Sequence, residues 1–166
     1  MGYWGYFVVG RAERPLAELA ALAGAPGLTL RQETPDGWQV WEYPGGEGDV
    51  GNMHELAHQT GEPALFGYVM DSDCAVVEAA GPESGMWTTC LGREAMAARL
   101  GAGEGVVLED YFLEPRDAAE RAVAWAAEAG HIVTAEPLLE VFGADPDPLA
   151  ENLFFRMLDR LGVVPL

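Results

Sequence analysis

Three residues offer the sharpest chemistry in this chain. His54 and His58 bracket Glu55 in the run His54-Glu55-Leu56-Ala57-His58. On a helix, residues four apart share a face, so both imidazoles can reach one Zn2+. A glutamate beside the first histidine is then placed to take a proton from the metal's water. Two other runs have chemical spacing. Gly46-Glu47-Gly48-Asp49-Val50-Gly51 has the pattern of a phosphate-cradling glycine loop, with Asp71 about twenty residues further on. Asp71-Ser72-Asp73 sets two carboxylates on one turn, a donor set that suits a hard cation.

The histidine motif resembles that of the zincin metallopeptidases, and Gly61 stands where the metzincin branch places its glycine. The resemblance spans residues 54–64 only. It implies zinc as cofactor, His54 and His58 as ligands and Glu55 as catalytic base. The metzincin third-ligand position is Ala64, which has no donor. A zincin with a distant glutamate ligand would need a residue such as Glu78, which the pattern places on a strand. Local signals favour a structural role. Asn52 reads as a helix N-cap, and Glu55 three residues later completes a capping box. Gly61-Glu62-Pro63 then stops the helix early. The expectation is that His54 and His58 hold no catalytic zinc; a small zinc-dependent hydrolase is the alternative. The glycine loop has a compositional origin, since the chain has 21 glycines, and Glu47 and Asp49 would turn carboxylates toward a pyrophosphate. The Asp71 turn reads as turn chemistry.

Charge is the stronger signal. There are 27 Asp and Glu against nine basic residues, all arginine, for a formal net charge of -18. Hydrophobic residues make up 49%, enough for a packed core despite that charge. No Lys or Arg falls between Arg31 and Arg93, where eleven acids lie. Such a chain repels nucleic-acid phosphates and anionic membranes and attracts basic surfaces. Six acids there, Glu47, Asp49, Glu55, Glu62, Asp71 and Asp73, sit at loops and element ends, and form a negative docking patch if those loops share one edge of the sheet. The abundance of Arg, Ala and Gly matches coding in a GC-rich bacterial genome. No apolar run approaches the roughly 20 residues of a membrane helix, and the N-terminal run lacks the marks of a signal peptide. Cys74 and Cys90 make no disulfide framework. A cytoplasmic protein with two free thiols is expected.

The elements that must position these groups follow from periodicity and turn residues. Tyr3 to Val9 reads as a central strand buried on both sides. Pro15 opens a short helix with Leu16, Leu19 and Leu22 inward. Leu28 to Glu33 and Trp38 to Tyr43 form a hairpin across Thr34-Pro35-Asp36-Gly37. A short helix follows to Thr60. Ala64 to Met70, Cys74 to Ala80 and Met86 to Leu91 form an antiparallel meander, because their turns are too short for crossovers. Its register sets Cys90 opposite Val76. The remainder is mainly helical: Arg93 to Leu100, Pro115 to Ala129, Pro137 to Phe142, and a last helix opened by Asp147-Pro148 with Leu149, Leu153, Met157 and Leu161 inward. Val106 to Leu108 reads as a short edge strand. The expected fold class is α+β, one domain with a mainly antiparallel sheet covered by helices. The expected function is a non-enzymatic acidic module that binds a basic protein partner, as immunity proteins, inhibitors and nucleic-acid mimics do, with no cofactor and no direct contact with nucleic acid or membrane. A third reading is a small-molecule binder in a cleft between the sheet and the C-terminal helices.

Overall fold

Short turns between strands dictate neighbours, and the sheet in this computed structural model follows them. Residues 2–45, 49–101 and 107–166 are described. The strands are β1 (Gly5–Arg11), β2 (Thr29–Glu33), β3 (Trp38–Pro44), β4 (Ala64–Met70), β5 (Cys74–Gly81) and β6 (Gly85–Leu91). They form one six-stranded sheet in the order β2-β3-β1-β4-β5-β6, with every neighbouring pair antiparallel. The helices are α1 (Met53–Thr60), α2 (Arg93–Arg99), α3 (Pro115–Glu128), α4 (Ala135–Gly143) and α5 (Ala150–Leu161). The fold is α+β with a helical C-terminal part, as the sequence predicts. The meander is present with the expected register, Val76 opposite Cys90, and both cysteines are free and buried.

Period-two alternation sends successive side chains to opposite faces, and both faces are covered by helices. On one face Phe7, Val9, Val40, Leu65, Val69, Val77 and Leu91 pack against α3, α4 and α5. Between β6 and the start of α3 a surface cavity of about 430 Å³ remains, lined by Trp87, Thr88, Asp117 and Arg121. Gly67 makes the close approach of α5 possible: a Cβ at that position would lie 2.5 Å from the Phe154 ring. On α3, Ala118, Ala122, Trp125 and Ala129 form the expected inward stripe. The Trp125 indole reaches across the core and donates to the carbonyls of Ala64 and Ala80 at 3.2 and 3.1 Å. On the opposite face α1 lays Met53, Leu56 and Ala57 over Val8, Phe66 and Ala80. Beside it α2 buries Met96 with Cys74, Cys90 and Phe112.

Three local expectations are corrected. Residues 15–24 are not an α-helix but two 3₁₀ turns, Leu16–Glu18 and Ala20–Leu22, separated by an extended Leu19. A leucine every third residue is the 3₁₀ repeat itself, not the 3.6-residue one. The expected edge strand near Leu108 is a 3₁₀ turn, Leu108–Asp110, while Val106 lies outside the described residues. Phe112 turns inward beneath α2, and the chain bends to bring it there. Leu113 then covers the margin of β6, its amide donating to the Thr88 carbonyl at 3.0 Å. Arg121 caps the Met86 carbonyl on the same margin at 2.6 Å. Finally, Leu149 is exposed, because it is the extended N-cap of α5 and precedes the helical stripe. At the other margin, all five residues of β2 are exposed.

Candidate interaction site

The helix bearing the histidine motif starts with the Asn52 half of the expected capping box; among the described residues Glu55 does not return a bond to the Asn52 amide. The Asn52 side chain accepts from the Glu55 amide at 2.9 Å, and Gly61 closes the helix in the left-handed conformation that glycine adopts without a Cβ penalty. The inward face of α1 is Met53, Leu56 and Ala57; His54, Glu55 and His58 are exposed. They border a shallow surface groove with Ala20 and Gln59. Glu78, the distant carboxylate a zincin would need, lies beneath the helix instead, where it accepts from the Met53 amide at 2.9 Å. Among the described residues, no three His, Cys, Asp or Glu side chains converge as a metal-binding group.

Of the six acids of the expected patch, four divide between the two ends of the sheet. Glu62 precedes β4 and pairs with Arg11 at 2.5 Å, at the end where β1 finishes. Glu55 lies on the outer face of α1. Asp49, Asp71 and Asp73 lie toward the other end, where β3 and β4 finish and β1 begins. Glu47, with Gly46 and Gly48 of the glycine loop, lies outside the described residues. Three backbone segments meet at this second end. The Gly45 amide donates to the Trp4 carbonyl at 2.8 Å, and the Ser72 amide to the Tyr3 carbonyl at 3.0 Å.

The Asp71 turn is held from several sides. Asp71 and Ser72 both have positive φ, 53° and 56°, the geometry of a tight hairpin turn normally given to glycine or asparagine. Distant groups hold the conformation. The Gly2 amide donates to Asp71 Oδ1 and the Tyr3 amide to Ser72 Oγ, each at 2.7 Å. Ser72 Oγ in turn donates to Glu151 of α5 at 3.0 Å. The two carboxylates of the turn share one cation. Arg99 of α2 donates from Nε and Nη2 to Asp73 at 3.2 and 3.1 Å and lies 3.6 Å from Asp71. For Asp73, burial works against ionisation, but bonding to Arg99 and Cys74 outweighs it and the carboxyl is held low. Burial, then the neighbouring Asp73, pushes the Cys74 thiol up to about 12, and burial takes Cys90 to about 11. Both thiols are therefore protonated and poor nucleophiles at neutral pH.

Beside this turn lies a feature that no sequence motif marks. Cross-strand pairing sets Tyr43, Tyr6, Tyr68 and Val76 in one row across four strands, on the face that α1 and α2 only partly cover. The adjoining row is Trp41, Val8, Phe66 and Glu78. Tyr6 stacks on Tyr68 with ring centroids 4.3 Å apart, meets Phe66 edge-on at 5.3 Å, and lies 6.4 Å from Tyr43. The three tyrosines are half-buried. Burial raises the Tyr6 hydroxyl above its ordinary value, and Asp49, Tyr68, Glu78 and Tyr43 push it the same way. Trp4 is expected from sequence to be a core residue. It is instead exposed at the rim of this row, 6.4 Å from Tyr68, with the Arg99 guanidinium 5.2 Å over its ring. No tyrosine spacing within a strand signals the row, because β1, β3 and β4 contribute one tyrosine each, Tyr6, Tyr43 and Tyr68.

No protein-family model matches this chain, and neither does any curated protein or solved structure.

Proposed function

We propose that this protein is a non-enzymatic docking module of the cytoplasm whose Asp49, Asp71 and Asp73 end receives a basic protein partner. The observation that carries this reading is the unequal charge at that end. Two turn carboxylates share the single guanidinium of Arg99, and Asp49 has no arginine partner among the described residues. The turn is fixed by bonds to the N-terminal segment and α5, so its charges are presented without an ordering cost on binding. Nucleic acid and anionic lipid are repelled by the same field.

Opposite charge speeds encounter, while shape sets lifetime. Once a cross-linked partner has been isolated, stopped-flow association should slow by about tenfold or more when salt is raised several-fold, with dissociation changing far less. Neutralising Glu47, Asp49, Asp71 and Asp73 together should reproduce that slowing at low salt, at a stability cost of about 1 kcal/mol or less. An unchanged association rate in the quadruple variant would reduce the acidic end to a solubility device.

A further inference from the structure

Helix α1 carries two imidazoles that the fold itself does not use. His54 and His58 are exposed, and neither side chain forms a hydrogen bond or an ion pair among the described residues. Their backbone is held at both ends and from below. Asn52 and Gly61 cap the helix, and Met53, Leu56 and Ala57 are fully buried on its inner face. Residues four apart on a helix have Cβ atoms about 5–6 Å from each other. The two histidines accordingly border one groove of about 440 Å³, with Ala20, Glu55 and Gln59. Two nitrogen–metal bonds of roughly 2 Å can close across such a spacing. The only formally charged side chain on α1 is Glu55, so no lysine or arginine of the helix opposes a cation there.

We infer that His54 and His58 form a two-point binding site for a divalent transition-metal ion of the class of Ni2+, Cu2+ and Zn2+. The donors decide the class. Imidazole nitrogens suit these ions, whereas Mg2+ and Ca2+ take oxygen ligands. The donor count decides the role. A catalytic zinc centre has three protein ligands, and among the described residues no third His, Cys, Asp or Glu converges on this pair. The chain therefore holds the ion by two bonds and leaves its other positions to water or to a donor from outside. This is capture of an ion, not hydrolysis. It is also independent of the docking reading, whose Asp71 and Asp73 are oxygen donors already engaged by Arg99.

Calorimetric titration of the metal-free, full-length protein with nickel chloride tests this, in a buffer that does not bind metals. A single Ni2+ should bind per chain, and excess Mg2+ should change its affinity by no more than about twofold. His54→Ala and His58→Ala should each weaken binding roughly tenfold or more, because a chelate that loses one arm loses the intramolecular second bond. His131→Ala removes the third histidine of the chain and should leave the affinity unchanged. Ni2+ should raise the denaturation midpoint of the wild-type protein and not that of the His54 or His58 variants. Both substituted side chains are exposed and unbonded, so the metal-free variants should keep the wild-type midpoint; should an alanine variant lose its fold, the glutamine variant takes its place. Absence of nickel binding by the wild type overturns the site. Binding that survives either histidine substitution at full affinity, or that excess Mg2+ abolishes, overturns it too and places the ion on carboxylates. None of these outcomes touches the salt-sensitive association by which the docking reading is judged.

Discussion

The two faces of the sheet are built from the same strands and reach different ends. On the face under α3, α4 and α5, Phe7 packs against Phe154 and Phe155 with ring centroids 5.9 and 5.1 Å away, and Val69, Val77 and Leu91 are sealed beneath the helices. One residue along each strand the side chain points the other way, and Tyr6 and Tyr68 stand half-buried between α1 and α2. Apolar bulk does not separate the faces, since both are aromatic. Tyrosine number does: Tyr6, Tyr43 and Tyr68 pack on the α1 side, and Tyr3 on the α3–α5 side, where its hydroxyl donates to Glu42. A phenol packs through its ring while its hydroxyl takes a polar partner. A face that keeps hydroxyls on a packed floor can remain open without becoming an aggregation-prone apolar patch.

The comparison breaks most directly by truncation. Phe154→Ala removes a fully buried ring against which Gly67 leaves no slack, and it should cost about 3–5 kcal/mol in chemical denaturation. Tyr68→Ala should cost clearly less, because its ring is only half-buried. Equal losses would mean that the open face is simply more core. An intermediate effect belongs to Glu128, at the C-terminal end of α3. Its carboxylate accepts from the Glu83 amide, the Ser84 amide and Ser84 Oγ at 2.8, 2.9 and 2.7 Å, clamping the β5–β6 turn to the closed face. Burial opposes its ionisation, but these three bonds prevail and hold the carboxyl low. Glu128→Ala should lose about 1–3 kcal/mol at neutral pH. A carboxyl lowered in the folded state stabilises above its unfolded pKa, and that contribution disappears as pH falls through the folded value. The difference between wild type and variant should therefore narrow in acid; a gap constant down to about pH 2 would show that the clamp is not ionic.

The smallest effect concerns the α2 side of the open face, which is sealed over Cys74 and Cys90. Both folded thiols ionise well above their ordinary value near 9. Stability from such raised groups is complete below the unfolded pKa and is lost as pH rises toward the folded one. The denaturation midpoint should begin a modest decline above about pH 9, and less so in Cys74→Ala, measured against its own neutral-pH midpoint. A midpoint equally flat in both proteins to about pH 10 would place these thiols in contact with water.

Most elements were legible because their signals are local. Asp71-Ser72-Asp73 and the Gly81–Gly85 run mark tight turns, and a tight turn between two apolar runs leaves antiparallel pairing as the only close option. Asn52 and Gly61 bound α1 by capping chemistry within a few residues of each other. The stretch from Leu16 to Leu22 was misread because leucines three apart suggest an α-helical face, although that spacing is the 3₁₀ repeat. The tyrosine row was not legible. Tyr43, Tyr6 and Tyr68 become neighbours only through the register of β1 with both β3 and β4, which is set by pairings far apart in sequence. The acidic patch was legible as charge but not as geometry. Glu62 and Asp71 look alike in the chain, and the antiparallel run of β4 carries them to opposite ends of the sheet.

The unequal margins of the sheet bear on self-association. Leu113 and Arg121 occupy backbone carbonyls along β6, whereas β2 ends the sheet at the other side with both faces of its five residues exposed. Among the described residues the β2 margin is thus the more open to strand addition. A second copy of the chain is a poor candidate for that margin. Laid antiparallel about the centre of β2, or parallel in register, two copies set Arg31 against Arg31, and like charges directly opposite destabilise a strand pair. The guanidinium that such a pairing would bring together is held to Glu42 at 2.6 Å, so the β2 margin carries a charged side chain of the kind that blunts an edge strand.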